Sequence, residues 1–443
     1  MIKRVFWVSF YTGASQLLAL YTLSYVLRNY GEEVSGRIGI IDSLVLIISG
    51  VISFGTQLAV NRNVATKRSW RSNYYLGQSA RFSMSLVVII YAIVSAMYQL
   101  DLTKLIFLAA PLIAFNGDYS LYGTGQPIKA AQISFFRIAI PNLSILITAY
   151  FFSQYLIHAY LIFVGVGIFN SGIIASRINK VQYLFPFNRK FTKFYLKYYK
   201  VGIFQLSYAI LITGILAISK FFYTIETIGL VYGVLKYFEV FKGLLRILKQ
   251  AFFRDLASDA VGIRVDKFGI LMGSFVVIPA FLYTKETLQL IYADTYMGKE
   301  LLLILFGIAM ILASLQPSLD MRALLKRLDN TNLFAYLLAL IIAVTIISYA
   351  SNTPYGLYGI PIGIIAGEII LLVVLSLRIE GLSFYIKRFQ FILKLLPLLS
   401  MVILIRFLFE PSIIMLVISS AIYSLSVLFA FRKLLFEKAT QMD

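Results

Sequence analysis

The sequence predicts an all-α polytopic membrane protein. Two observations predict this fold class: apolar stretches long enough to cross a bilayer recur along the whole chain, and the Lys and Arg residues between them fall mainly on one side. Of the 443 residues, 60% are hydrophobic, and the mean hydropathy is +0.84. A hydrocarbon core of ~30 Å requires helices of ~20 apolar residues, because every backbone polar group must be satisfied within the segment.

We predict about 14 transmembrane helices from the lengths of these stretches. They are expected at residues 5–27, 38–60, 80–99, 103–122, 131–152, 155–176, 201–220, 228–250, 267–291, 300–321, 331–350, 356–377, 390–408 and 412–431.

The distribution of charge predicts the orientation of these helices. With the N-terminus in the cytoplasm, seven of the 40 Lys and Arg residues lie in outside loops and three lie within spans. The other thirty lie on the cytoplasmic side, together with eight acidic residues. This is the positive-inside pattern of multi-pass membrane proteins, and it places both termini in the cytoplasm. The net charge of +20 then reflects topology and attraction to anionic membrane lipids, and we expect no nucleic-acid partner.

The sequence lacks the residues that several classes of chemistry require. The chain has no Cys, so it has no thiolate nucleophile, disulfide or thiol metal site. It has a single His, His158, near the outer end of a span, where a packing role is expected rather than catalysis. No Gly-rich phosphate loop of the Walker type is present. We therefore expect a transporter and not an enzyme, with no cofactor and no metal.

The chain is predicted to contain an internal repeat. A shift of 192 residues aligns the first two spans with the seventh and eighth, and places Arg28 on Lys220 and Arg62 on Arg254. An even number of spans separates the copies, so both have the same orientation, as in transporters with a central site between two halves. We predict an N-terminal lobe at 1–176, a connector at 177–200, a C-terminal lobe at 201–378, and a C-terminal helix pair and tail at 379–443.

The connector is strongly basic and predicts a helix in the cytoplasmic interface. Arg189, Lys190, Lys193, Lys197 and Lys200 fall within one arc of a helical wheel. Aromatic residues occupy the remainder of the wheel and are expected in the acyl boundary, with the cations toward anionic headgroups. An anchor between the lobes is one interpretation, and capture of a lipid-linked substrate is the other.

Charged residues within spans mark candidate sites, because a charge there costs about 2.5–3.5 kcal/mol or more. The richest span is the eighth, in which one stripe contains Lys236, Glu239, Lys242, Arg246 and Lys249. We expect Lys236 and Glu239 to pair at i and i+3. No other span offers an excess of acid, so Lys242 and Arg246 are expected to lack carboxylate partners. The stripe predicts a net-cationic cavity that suits a polyanionic headgroup such as a diphosphate.

Other intramembrane charges predict ion pairs or coupling sites. Asp118 and Arg137 lie at similar depth and are expected to pair. Asp42 lies one turn inside the second span and is expected to cap the helix or to meet Arg28 or Arg37. Glu368 lies near mid-depth of the twelfth span. It either meets a cation from the eighth span or titrates as a coupling residue.

Four short segments resemble the polysaccharide transporters of the MOP superfamily. Leu27–Gly36 reads LRNYGEEVSG and is similar to that family's R-x-L/Y-G-x-x-x-x-G turn. Phe54–Ala65 reads FGTQLAVNRNVA and is similar to its F-G-x-x-x-x-x-x-R-x-x-A stretch. Phe115–Gly123 and Ile133–Arg137 resemble the family's aromatic-polar-Gly segment and the Arg that follows it.

This resemblance implies a fold and a function. It implies two six-helix lobes in a MATE-like V around a central cavity, with a further C-terminal helix pair, in the bacterial cytoplasmic (inner) membrane. It also implies a flippase that moves polyprenyl-diphosphate-linked oligosaccharides, such as O-antigen repeat units, from the inner to the outer leaflet. Partners of that function include polysaccharide polymerase and chain-length proteins.

Depth and helix face, rather than the family pattern, select the candidate residues. The expected headgroup ligands are Arg28, Arg62, Arg137, Lys220, Lys236, Lys242 and Arg246; the expected coupling or structural acids are Asp42, Asp118, Glu239 and Glu368. A cation-coupled small-molecule exporter of the same superfamily and a membrane-embedded glycan enzyme remain as alternatives. Coupling to Na⁺ or H⁺ stays open.

Overall fold

The computed structural model describes residues 2–60, 70–98, 102–184, 187–252 and 255–432, and within these ranges the chain is helical and has no β-strand. Its α-helices are α1 (Ile2–Ser53), α2 (Arg71–Tyr98), α3 (Ala110–Phe115), α4 (Ser120–Gly123), α5 (Pro127–Phe151), α6 (Leu156–Asn179), α7 (Phe191–Ala209), α8 (Ile215–Ser219), α9 (Ile225–Ala251), α10 (Asp259–Val277), α11 (Thr284–Tyr292), α12 (Glu300–Ser314), α13 (Leu319–Leu325), α14 (Asp329–Ala350), α15 (Gly356–Ile379), α16 (Ser383–Leu408) and α17 (Ile413–Ala430). Single π-helical turns at Ile210–Gly214 and Ile278–Leu282 follow α7 and α10.

The all-α membrane fold is confirmed, whereas the count of 14 spans stays a prediction. Twelve segments within the described ranges are long and apolar enough to cross a membrane. The first, Trp7–Ser53, covers two predicted spans and bends at Gly31, whose φ of 79° leaves the helical region. Helix α9, the predicted eighth span, is not among the twelve; it carries six charged residues in 27.

Two predicted spans are interrupted near their predicted cytoplasmic ends, at similar places in the two predicted lobes. Helix α3 ends at Phe115, and α4 begins only at Ser120. Helix α12 ends at Ser314, and α13 begins at Leu319, because Pro317 lacks the N–H that would continue the helix. Gly117 occupies the first break, where a Cβ would lie 2.0 Å from the Tyr74 hydroxyl oxygen. Interrupted helices of this kind often line the binding sites of transporters.

The second half of α1 packs backbone to backbone against the start of α9, at the end of the bundle predicted to face outside. A Cβ on Gly36 would lie 2.2 Å from the Ile225 carbonyl oxygen, and one on Gly229 would lie 1.9 Å from that of Glu32. Only glycine permits this approach. The two predicted lobes are therefore closed against each other at this end.

The connector differs from its prediction in two respects. Helix α7 begins at Phe191, so Arg189 and Lys190 precede it, and the helix bends at Tyr198 (φ −116°, ψ 18°). The aromatics Phe194 and Tyr198 are buried against protein, in a cluster with Val60 and Tyr74, and not in the acyl boundary. Their burial packs the connector against residues 59–60, which follow α1, and against α2. Its basic residues at 189, 190, 193 and 197 are exposed, as predicted.

The C-terminal helices α16 and α17 form the predicted pair and pack against α10. The Tyr423 hydroxyl lies 2.8 Å from Ser274 Oγ, and Arg388 forms an ion pair with the buried Asp266. The division of the chain into lobes at 1–176 and 201–378 stays a prediction.

Candidate functional site

A cavity of about 500 Å³ lies among helices of both predicted lobes. It is lined from α1, α2, α5, α6, α9 and α15 and from both interrupted spans. Its charged lining residues are Asp42, Arg81, Asp118, Arg137, Lys236, Glu239, Lys242, Arg246, Lys249, Asp320 and Glu368. These are six basic and five acidic residues, so the described lining keeps a net positive charge, as predicted, but only of a single unit. The lining described here is nearly neutral.

Lys236 lies at the centre of a cluster between helices α1 and α9. Its Nζ lies 3.0 Å from Asp42 Oδ2 and 3.3 Å from Glu239 Oε2. The expected pair of Lys236 with Glu239 is therefore confirmed. The Tyr160 and Tyr232 hydroxyls also donate to Asp42.

The partners predicted for Asp42 are wrong. Arg37 pairs with Glu33 on its own helix at 2.8 Å. The Arg28 guanidinium donates to the carbonyl oxygens of Leu290 and Ile291, both at 2.9 Å. Asp42 meets Lys236 instead because α9 packs against α1, although 194 residues separate them.

Lys242 forms an ion pair with Glu368 on α15. The expectation that Lys242 lacks a carboxylate partner is therefore wrong. Of the two alternatives left open for Glu368, the structure shows the contact with a cation from the eighth span. The Glu368 side chain is only 5% exposed, so Lys242 offsets the cost of burying its charge.

Lys249 and Asp320 form a third pair, at 2.7 Å, that the sequence analysis did not identify. Asp320 lies in the first turn of α13, directly after the interruption at Pro317, and also accepts from the Tyr336 hydroxyl at 3.3 Å. The signal in the sequence was the Gln316-Pro-Ser-Leu-Asp320 segment, in which a proline and polar groups interrupt an apolar span.

The predicted pair of Asp118 with Arg137 is confirmed at the other interruption. The backbone N–H of Asp118 donates to Asn116 Oδ1 at 3.1 Å, which holds the turn between α3 and α4. The Arg137 side chain remains 34% exposed. Arg137 also lines the cavity, so part of its side chain is accessible there.

Arg246 has no ion pair within the described part of the chain. It lines the cavity, it is exposed, and it lies within electrostatic reach of Tyr122, as does Arg137. Arg246 comes from α9 and Arg137 from α5, so the lining of the cavity brings guanidinium groups from two helices. Of these two, Arg137 is paired with Asp118, and Arg246 carries the positive charge that no carboxylate of the described residues offsets.

Arg81 was not identified as a site residue, because it was counted with the cytoplasmic bases. It is 1% exposed and donates to the Ile113 carbonyl oxygen at 2.6 Å and to Gln78 Oε1 at 2.8 Å. It also donates to the carbonyl oxygen of Asn116 and lies 5.0 Å from the centre of the Tyr119 ring. Arg81 therefore caps the last carbonyls of α3 and holds the interruption open.

Two predicted headgroup ligands do not line the cavity, and a third cannot be placed relative to it. Arg28 and Lys220 are not among its lining residues, and Arg62 lies outside the residues that the structure describes. Roles for these three in receiving or releasing substrate stay predictions.

Solved structures share this arrangement of helices, although the sequence matches no protein-family model and no curated protein. The lipid II flippase MurJ, in an inward closed conformation, superimposes with a TM-score of 0.71 at 15% identity, over 97% of this chain and 99% of MurJ. The chain has the fold of MurJ and the MATE transporters.

The MATE transporters match over a smaller share of the chain. A MATE protein in complex with MaL6 gives a TM-score of 0.59 at 13% identity, over 88% of this chain and 96% of that one. An outward-facing multidrug resistance MATE transporter of the MOP superfamily gives 0.54 at 14% identity, over 88% and 95%. The MOP-type fold expected from the short sequence segments is thus confirmed. At these identities, the MurJ and MATE matches establish the fold alone.

Proposed function

We propose that this chain is a flippase for a lipid with an anionic headgroup, of the polyprenyl-diphosphate-linked oligosaccharide class. The observation that carries the proposal is Arg246, an exposed guanidinium within the cavity and without a carboxylate partner among the described residues. With the accessible Arg137 near Tyr122, it provides two planar forks, the geometry that binds phosphate oxygens in pairs.

The mechanism follows from where the charges lie. The prenyl tail stays in the lipid, and the headgroup crosses through the cavity, which avoids the cost of transferring diphosphate and sugar through hydrocarbon. Arg246, which has no ion pair within the described part of the chain, makes the first contact with phosphate. Arg137, Lys236 and Lys242 contribute when phosphate displaces their carboxylates, because all three are paired in this structure.

Alternating access then carries the headgroup across. The close contact of Gly36 and Gly229 separates as the other end of the bundle closes, and the headgroup reaches the outer leaflet. Arg28 and Lys220 lie toward that end and are proposed to receive it. The fold supports this assignment, since MurJ, a lipid II flippase, matches nearly the entire chain.

The remaining assignments follow from this function. We propose the bacterial inner membrane, cytoplasmic termini, contacts with polysaccharide polymerase and chain-length proteins, and Na⁺ or H⁺ as the candidate coupling ion. We assign O-antigen-type repeat units as the class of cargo.

A small-molecule exporter is the second candidate. Five carboxylates line the cavity, and acidic groups of this kind suit a cationic compound. The matches to MATE transporters support it at the level of the fold. Efflux of a cationic dye driven by an ion gradient, with no effect of polyprenyl diphosphate, would favour this candidate.

Headgroup binding tests the flippase proposal. Native mass spectrometry would measure retention of a short-chain polyprenyl diphosphate by purified wild type, by Arg246→Gln and by Lys285→Gln, an exposed control outside the cavity with the same charge change. We expect Arg246→Gln to bind about tenfold more weakly, the loss of one charge-assisted contact, and the control to bind as wild type. Equal binding by all three proteins would contradict the proposal.

A further inference from the structure

Three lysines that do not line the cavity lie on two helices that pack against each other, one in the predicted C-terminal lobe and one in the C-terminal helix pair. Lys267 lies on α10, and Lys387 and Lys394 lie two turns apart on one face of α16. Lys387 and Lys394 are both close enough to Lys267 to act on it electrostatically. We call Lys267, Lys387 and Lys394 the α10–α16 basic patch.

No carboxylate in the described part of the chain pairs with any of the three. The neighbouring acids are already engaged: Asp266 bonds Arg388, and Glu380 bonds both Arg388 and Arg322. The Lys267 ammonium lies 5.9 Å from the centre of the Phe391 ring, which lies between Lys387 and Lys394 on α16. The patch is therefore a cluster of like charges held together by helix packing and lacking a counterion in the described chain.

The patch lies at the edge of an exposed apolar surface that is predicted to face lipid. On α16, Ile386, Phe389 and Leu393 share one exposed face, with 60%, 61% and 45% of each residue accessible. Lys387 directly follows Ile386, and Lys394 directly follows Leu393. The two lysines therefore lie next to the exposed apolar side chains that are predicted to contact acyl chains. The patch belongs to the end of the bundle predicted to be cytoplasmic.

We propose that the α10–α16 basic patch is a binding site for the phosphate headgroup of an anionic membrane phospholipid. The phosphate lies among the three ammonium groups, and one acyl chain lies along Ile386, Phe389 and Leu393. Basic pockets between transmembrane helices on the cytoplasmic side are suited to such headgroups, and each nearby Lys adds to the attraction. The bound lipid joins α10 to α16 and so attaches the C-terminal helix pair to the rest of the protein. This proposal does not depend on the transported substrate.

Thermal unfolding of the full-length protein in detergent tests the site, with phosphatidylglycerol or phosphatidylcholine as the added lipid. The patch variant is Lys267→Gln, Lys387→Gln, Lys394→Gln. The matched control removes three exposed, scattered cations predicted to lie on the same membrane face, Lys180→Gln, Arg327→Gln, Arg378→Gln. Native mass spectrometry would count the phosphatidylglycerol molecules retained.

We expect phosphatidylglycerol to raise the Tm of wild type and of the scattered control. The patch variant should lose that rise and retain the lipid about tenfold more weakly. In phosphatidylcholine alone the patch variant should unfold at or above the wild-type Tm, because removing like charges relieves repulsion.

Four results would overturn the proposal. In the first, the patch variant keeps the full rise in Tm with phosphatidylglycerol. In the second, the scattered control loses as much of that rise as the patch variant, which would show a general effect of net charge. A lower Tm of the patch variant in phosphatidylcholine would make the lysines structural. A response of wild type to polyprenyl phosphate but not to phosphatidylglycerol would assign the patch to the transported lipid.

Discussion

Lys249 Nζ lies 2.7 Å from Asp320 Oδ2 and joins α9 to the interruption between α12 and α13. The Asp320 side chain is 2% exposed and that of Lys249 is 15% exposed. Each lysine that lines the cavity is bonded in this way to a carboxylate of another helix. The pairs thus hold the walls of the cavity, and the arginines Arg137 and Arg246 remain accessible to a ligand.

Loss of one partner from this pair should destabilise the protein strongly. Lys249→Ala leaves the Asp320 carboxylate buried without a counterion, which typically costs about 3–5 kcal/mol. We expect the Tm measured in detergent to fall by several degrees. The double variant Lys249→Ala, Asp320→Asn should recover much of that loss, because no buried charge remains. A double variant less stable than Lys249→Ala would contradict this account of the pair.

The contact between α1 and α9 should control which conformation is populated. Gly229→Ala places a methyl group where 1.9 Å separates it from the Glu32 carbonyl oxygen, so the two helices must move apart. Double electron–electron resonance would measure the distance between one spin label on α1 near Gly36 and one on α9 near Gly229. We expect this distance to be longer in the variant than in wild type.

Gly13→Ala is the matched control for this change. A Cβ at Gly13 meets nothing within 4 Å, so its substitution should leave the distance distribution unchanged. An unchanged distribution for Gly229→Ala would show that the glycine contact does not hold this end closed.

Acid pH should weaken the attachment of α16. Glu380 lies between α15 and α16 and accepts hydrogen bonds from Arg322 and Arg388. Burial acts to raise the pKa of Glu380, but the Arg322 hydrogen bond and the Arg388 charge outweigh it and hold this pKa below its usual range. A lowered pKa stabilises the folded state above the unfolded-state pKa of about 4.3, and this contribution is lost as the pH falls through the folded value.

Glu380→Gln removes that contribution. We expect the variant to be less stable than wild type at pH 7, and the difference in Tm to shrink progressively below about pH 4.5. The measurement is a pH series of thermal unfolding for both proteins. A difference that stays constant down to pH 3 would show that Glu380 acts through packing rather than through its charge.

The sequence predicted contacts that depend on local spacing. Helical periodicity identified the span-eight stripe and the pair of Lys236 with Glu239 three residues later. The pair of Asp118 with Arg137 was predictable because consecutive spans place them at the same depth. The short segments around Gly31 and Phe54 predicted the MOP-type fold, which the structural comparisons confirm.

Contacts between distant segments were not predictable from spacing. Asp42 meets Lys236 and Lys249 meets Asp320 because of how α1, α9 and α13 pack, and one sequence does not determine that packing. For the same reason the positive charge of the cavity was overestimated. The count of Lys and Arg along α9 left out the acidic residues that neighbouring helices contribute to the lining. Arg81 was missed because a base at the edge of a span resembles a cytoplasmic anchor.

Leaflet exchange in proteoliposomes tests the central claim most directly. A fluorescent polyprenyl-diphosphate glycan would be followed with a membrane-impermeant quencher, with wild type, Arg246→Gln and Lys285→Gln reconstituted in equal amounts and tested under imposed Na⁺ and H⁺ gradients. We predict that wild type and Lys285→Gln accelerate exchange, and that Arg246→Gln slows it about tenfold while keeping the wild-type Tm, since Arg246 has no ion pair to lose within the described chain. Exchange at the protein-free rate with wild type under every gradient would contradict the flippase, and wild-type exchange by Arg246→Gln would contradict its site.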